Sequence, residues 1–127
     1  KRGLRIPESM IVEGGYTYES GLAGAEILLS RSPRPTAIFA ANDLMAIGAM
    51  QALREAGVSI PDEMALVGFD DIPAAALVHP SLTTVDQVPH HLGQTCAQLL
   101  VQRLSNQRSG PGTHTGMPFH LIVRESS

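Results

Sequence analysis

A chain of 127 residues is long enough for one domain with a real core. With 43% hydrophobic and 17% charged residues it is not a disordered polymer. A formal net charge of −3 leaves no broad electrostatic footprint for nucleic acid. A single cysteine, Cys96, excludes an intrachain disulfide and fits a reducing cytoplasm. No apolar run has the length of a membrane span, and no signal peptide opens the chain. The first residue, Lys1, suits a fragment or a processed product.

Short apolar runs alternate with segments of helical spacing. Residues 9–13 are the first predicted strand. Residues 18–30 place Leu22, Ala25, Leu28 and Leu29 on one helical face. After a second strand at 36–41, residues 43–56 bring Leu44, Ile47, Met50 and Leu53 near one another. Met45, Ala46, Ala49 and Ala52 make this helix apolar almost all round. Asn42 is placed to cap it and Asp43 suits its positive end, while Gly57 and Pro61 stop it. Strands at 64–69 and 83–86 follow. A helix at 89–105 then carries Leu92, Cys96, Leu99, Leu100 and Leu104 as a stripe. Residues 105–116, rich in Gly, Ser and Thr, read as a flexible connection, and 117–124 as a last strand. Such alternation implies βαβ units. The expected fold is α/β, a doubly wound, mostly parallel sheet with helices on both faces, in one domain over residues 1–127.

In an open parallel sheet, ligands bind beyond the carboxyl ends of the strands. Gly14, Gly15 and Tyr16 follow the first predicted strand, Asn42 and Asp43 the second, Asp70 and Asp71 the third, and Gln87 the fourth. If the strands are parallel, these residues line one edge. An aromatic ring, two amides and a carboxylate suit a polar, multi-hydroxyl ligand such as a sugar or nucleoside. Plainer roles compete at each position. Asp70 could cap the segment after its strand, Asn42 could act only as an N-cap, and Tyr16 could pack over the sheet edge. Asp71 reads as a solvated or capping carboxylate. The adjacent pair is no evidence for acid–base catalysis, because neighbours in sequence need not face one cleft.

Other chemistries find no support. His79, His90, His91, His114, His120 and Cys96 match no structural zinc spacing, so no metal is expected. Cys96 reads as an inert buried thiol. The serines lack a nucleophile elbow, and Gly14-Gly15 is no phosphate loop. No cofactor is expected.

The segments PTAIFAANDLMAIGAMQALREAGVSIPDEMALVGFDD and HPSLTTVDQ resemble the LacI/GalR family of transcription regulators closely. EGGYTYESG and FHLIVRESS extend the resemblance over nearly the whole chain. It implies the second lobe of a two-lobed effector domain like that of the periplasmic sugar-binding proteins. A helix-turn-helix domain and most of the first lobe would lie outside this chain. By the same resemblance Tyr16, Asn42, Asp70 and Gln87 face the effector, and Leu44, Ile47, Ala76, Leu77 and Val78 lie at a dimer interface. The implied protein is a cytoplasmic homodimer, not an enzyme, that senses a sugar or related metabolite. It would meet operator DNA only through the missing domain.

The rival reading is a fragment of a periplasmic sugar-binding protein of a transport system. Ile47 and Val78 weigh against it, since those receptors usually work as monomers. A doubly wound enzyme comes third and lacks a catalytic group. The resemblance also sets the 89–105 helix against the first lobe and returns 117–124 to the second. Without the first lobe, the stripe is expected to pack on another chain or to leave its family position.

Overall fold

Three α-helices and four short strands form along residues 5–112 and 114–127, which the computed structural model describes. Helix α1 (Tyr18–Leu29) starts at a reciprocal cap, in which Thr17 accepts from the Ser20 N–H and Ser20 accepts from the Thr17 N–H, both at 3.2 Å. Strand β1 (Ala37–Phe39) leads into helix α2 (Asp43–Glu55), where the Asn42 side chain accepts from the Met45 N–H at 2.8 Å. Gly57, at φ +68, ends that helix in the left-handed conformation that a side chain resists. Strands β2 (Ala65–Val67) and β3 (Thr84–Asp86) follow. Helix α3 (Pro89–Leu104) and strand β4 (His120–Ile122) complete the order. The connection expected at 105–116 includes residue 113, which lies outside the described residues.

Strand β1 pairs in parallel with β2, Ile38 opposite Leu66. A parallel bridge from Val67 to Thr83 brings β3 alongside β2, and β4 closes antiparallel on β3. The order is therefore β1-β2-β3-β4, with the first three parallel. Ile38 and Leu66 are buried on one face, beside fully buried Ala46 and Leu53 of α2. Phe39 points the other way and is 65% exposed. Helices α1 and α2 touch backbone to backbone. A Cβ on Gly48 would run into the Tyr18 carbonyl, and one on Gly21 into the Met45 backbone.

Two expectations are corrected. Residues 9–13 do not form a strand: Glu8–Met10 is a 3-10 turn, and Ile11 is extended without a ladder partner among the described residues. A strand exists only as part of a ladder, and none adjoins this one. Between this segment and β1 lies an apolar hollow of about 850 Å³, walled by Ile6, Met10, Ile11, Val12, Ile38 and Phe39. The Thr36 carbonyl and the Ala40 N–H bond to β2. By the alternation of a parallel ladder, Ala37 and Phe39 turn their peptide groups to the hollow.

The second correction concerns α3. None of its residues is buried, Cys96 is exposed, and Leu104 is 75% exposed. The stripe does not fold back on the lobe, and the expected buried thiol is a surface one. The helix is held by its own hydrogen bonds, and Val88 at φ +51 sets its direction away from the core. Intrahelical bonding keeps the segment helical without burial of its stripe.

Candidate functional site

The parallel order of β1, β2 and β3 puts the segments after them on one edge. The structure joins the four predicted residues there as two pairs. The Asn42 amide donates to the Tyr16 carbonyl at 3.0 Å while its oxygen caps α2, so the cap also anchors the Tyr16 segment. The Tyr16 ring is 66% exposed, free of the packing role that competed for it. The Gln87 amide donates to the Asp70 carboxylate at 2.6 Å, with both side chains half-buried. Asp71 is not a solvated carboxylate: it pairs with Arg124 at 2.7 Å.

Backbone strain gathers on the same edge. Tyr16, Asp70, Asp71 and Val88 all have φ between +51° and +116°. Non-glycine residues hold such angles at a cost of about 1–3 kcal/mol each, and they cluster at functional sites. The 850 Å³ hollow is a different place. Its lining is mostly apolar and includes neither Asp70 nor Gln87, although it includes Tyr16.

Asp43 organises this edge, a role that its place in the first turn of a helix does not reveal. It is fully buried. Its carboxylate accepts from the Thr84 hydroxyl at 2.6 Å and from the Ile72 N–H at 2.9 Å, and its own N–H bonds to the Phe69 carbonyl at 2.8 Å. One residue thereby ties α2, the end of β2, the turn after it and β3. Burial pushes its carboxyl above the ordinary value of 3.8, against the lowering effect of the Thr84 and Ile72 bonds, and the charges of Asp70 and Asp71 add to the rise.

The sign for stability follows. With its pKa raised in the folded state, Asp43 contributes fully below its unfolded pKa, and that contribution is lost as pH rises through the folded pKa. The stability difference between wild type and Asp43→Asn should therefore move against wild type as pH rises from the acid range past the ordinary carboxyl value of 3.8. Urea denaturation across that range measures it, and a flat difference would contradict it.

A model of the periplasmic binding protein-like domain family matches residues 1–127. The chain belongs to that family. It is 38% identical over 124 residues to the HTH-type transcriptional regulator CelR of Thermobifida fusca, covering 98% of this chain and 36% of CelR. It is 40% identical over 123 residues to the HTH-type transcriptional repressor PurR of Escherichia coli O1:K1, covering 97% of this chain and 36% of PurR. The solved CelR–cellobiose complex superposes with a TM-score of 0.91 at 38% identity, over 98% of this chain and 38% of that one. The chain thus spans about a third of the length of these relatives. Both are transcription regulators of the HTH type.

Within this periplasmic-binding-protein-like fold, the five interface candidates divide by exposure. Leu44, Ala76 and Leu77 are exposed, Leu77 at 83%. Ile47 and Val78 are half-buried and pack on the core. No helix among the described residues is long and apolar enough to cross a membrane. No group of three or more His, Cys, Asp or Glu side chains among them could hold a metal ion.

Proposed function

We propose that this chain is the effector-sensing part of a longer LacI-type transcription regulator, and that its Asp70–Gln87 edge holds a small polyhydroxylated metabolite of the sugar class. The Gln87–Asp70 bond carries the reading. It fixes one carboxylate oxygen and leaves the remaining lone pairs for substrate hydroxyls, while Asn42 and Tyr16 stand on the same edge. The cellobiose in the CelR complex supports a sugar.

Effector binding would shift the regulator between lobe arrangements of different operator affinity. The protein works without catalysis, as a cytoplasmic homodimer. In it the α3 stripe is covered by the first lobe. Calorimetric titration of the longer protein with cellobiose and a set of mono- and disaccharides tests this. Saturable binding of at least one sugar is expected, with an accompanying change in operator affinity. Binding of none, or binding that leaves operator affinity unchanged, overturns the reading. The isolated chain, at net charge −3, should not retard operator DNA at all.

The interface reading makes its own prediction. A two-fold contact through α2 and the segment after Ala76 would place Ile47 and Leu77 against their copies. Ile47→Asp should give monomers of the longer protein in sedimentation. Because Ile47 also packs on the core, Leu77→Asp is the cleaner variant and should do the same. A dimer of unchanged strength in both would remove this surface.

A further inference from the structure

We propose that Arg124 is a positioning residue for Asp70: its guanidinium ties the neighbouring Asp71 to the β3 side of the sheet, and so fixes the turn that aims the Asp70 carboxylate at Gln87. Its functional consequence rests on the ligand-edge reading above, but its geometry does not.

Asp70 sits at φ +116, an angle that L residues keep only where the surroundings over-determine it, and Asp71 at φ +53, in the left-handed region that Asp tolerates better than most. The backbone supplies part of that constraint. The Asp70 N–H donates to the Val85 carbonyl at 2.9 Å, and the Asp71 N–H reaches the Thr84 hydroxyl only at 3.4 Å. Asp43 holds the next residue through the Ile72 N–H at 2.9 Å, and the Asp71 side chain is itself held by Arg124 at 2.7 Å, with the two side chains 24% and 19% exposed. Water screens that pair little. The other amino group of Arg124 donates to the Leu82 carbonyl at 2.8 Å. A planar fork can serve both acceptors at once, which a lysine ammonium on a single flexible stem does less well.

The guanidinium comes from a fixed platform. The Arg124 N–H donates to the Thr83 hydroxyl at 2.8 Å. Two residues on, fully buried Ser126 accepts from the Thr83 N–H at 2.8 Å and donates to the Leu66 carbonyl at 2.6 Å. The end of the chain is thus stitched across β2 and β3, and Arg124 reaches from it to the site.

The side-chain amide protons of Gln87 report the outcome by NMR on the 127-residue chain without effector. In wild type, the bond to Asp70 should separate them from those of exposed Gln102. Arg124→Ala and Asp71→Asn should each lose that separation, and the double variant should lose no more. Gly48→Ala, which strains the α1–α2 contact and touches neither the Arg124 segment nor Asp70 and Asp71, should lower stability and keep the signature. If Arg124→Ala does not fold, Asp71→Asn, which preserves the side-chain shape, decides. The proposal is overturned if Asp71→Asn keeps the wild-type separation, or if Gly48→Ala abolishes it as well. Because no effector is present, failure to bind any sugar would sink the functional reading and leave this result standing.

Discussion

Asp70→Ala is expected to weaken effector binding by the longer regulator by about 2–3 kcal/mol, roughly a 30- to 140-fold rise in Kd. A carboxylate at the carboxyl edge of the strands makes charge-assisted bonds to ligand hydroxyls, and these are stronger than neutral ones. The variant removes them and frees the Gln87 amide from its 2.6 Å bond, so two contributors are disturbed at once. Folding should change little, because Asp70 is only half-buried and its backbone bond to Val85 remains. Calorimetry reads the affinity, and urea denaturation checks the fold. Unchanged affinity in a folded variant would remove Asp70 from the site.

Gly48→Ala should destabilise the chain by about 2–3 kcal/mol, whereas Gly93→Ala should stabilise it by roughly 0.5–1 kcal/mol. Alanine is the better helix former in both places. At Gly48 the added methyl would meet the Tyr18 carbonyl and the Leu22 N–H of α1, which are backbone atoms that no rotamer can move aside. Helices α1 and α2 would have to separate, and the packing around Ala25, Ala46 and Ala49 would loosen with them. At Gly93 on α3 a Cβ meets nothing, so only the gain in propensity remains. Opposite shifts of the thermal midpoint are the expected result. A common sign would mean that intrinsic propensity, not the α1–α2 contact, governs both.

Much of this fold was legible because it is written in local patterns. The three helices end within a residue of their predicted bounds, α2 because Asn42 and Gly57 carry cap and stop signals and the other two because apolar spacing marks their length. Three ligand-edge candidates, Asn42, Asp70 and Gln87, follow from strand direction, while Tyr16 follows no strand and is brought there by its bond to Asn42, as Gln87 is joined to Asp70. What the sequence hid is long-range. Residues 9–13 have a strand's composition, but a ladder depends on a neighbour that local pattern does not specify. Cys96 lies on an apolar stripe, yet periodicity reports which residues share a face and not whether anything covers it. Asp43 read as a dipole-matched helix start, because its partners Thr84 and Ile72 lie 41 and 29 residues away. Arg124, 53 residues from Asp71, gave no local signal at all.

The unpaired side of β1 bears on how copies of this chain meet in solution. Ala37, Ile38 and Phe39 carry no charge and no proline, the two devices that usually guard a strand edge. With the peptide groups of Ala37 and Phe39 turned outward and Phe39 largely in water, the edge is a template on which a strand of another molecule can add. Such an addition does not close on itself like a two-fold dimer. It leaves a new edge for the next molecule, so growth continues and accelerates with concentration. Clouding of this chain on concentration is then the expected result of folded lobes adding at such an edge, and a charged residue in place of Phe39 should reduce it.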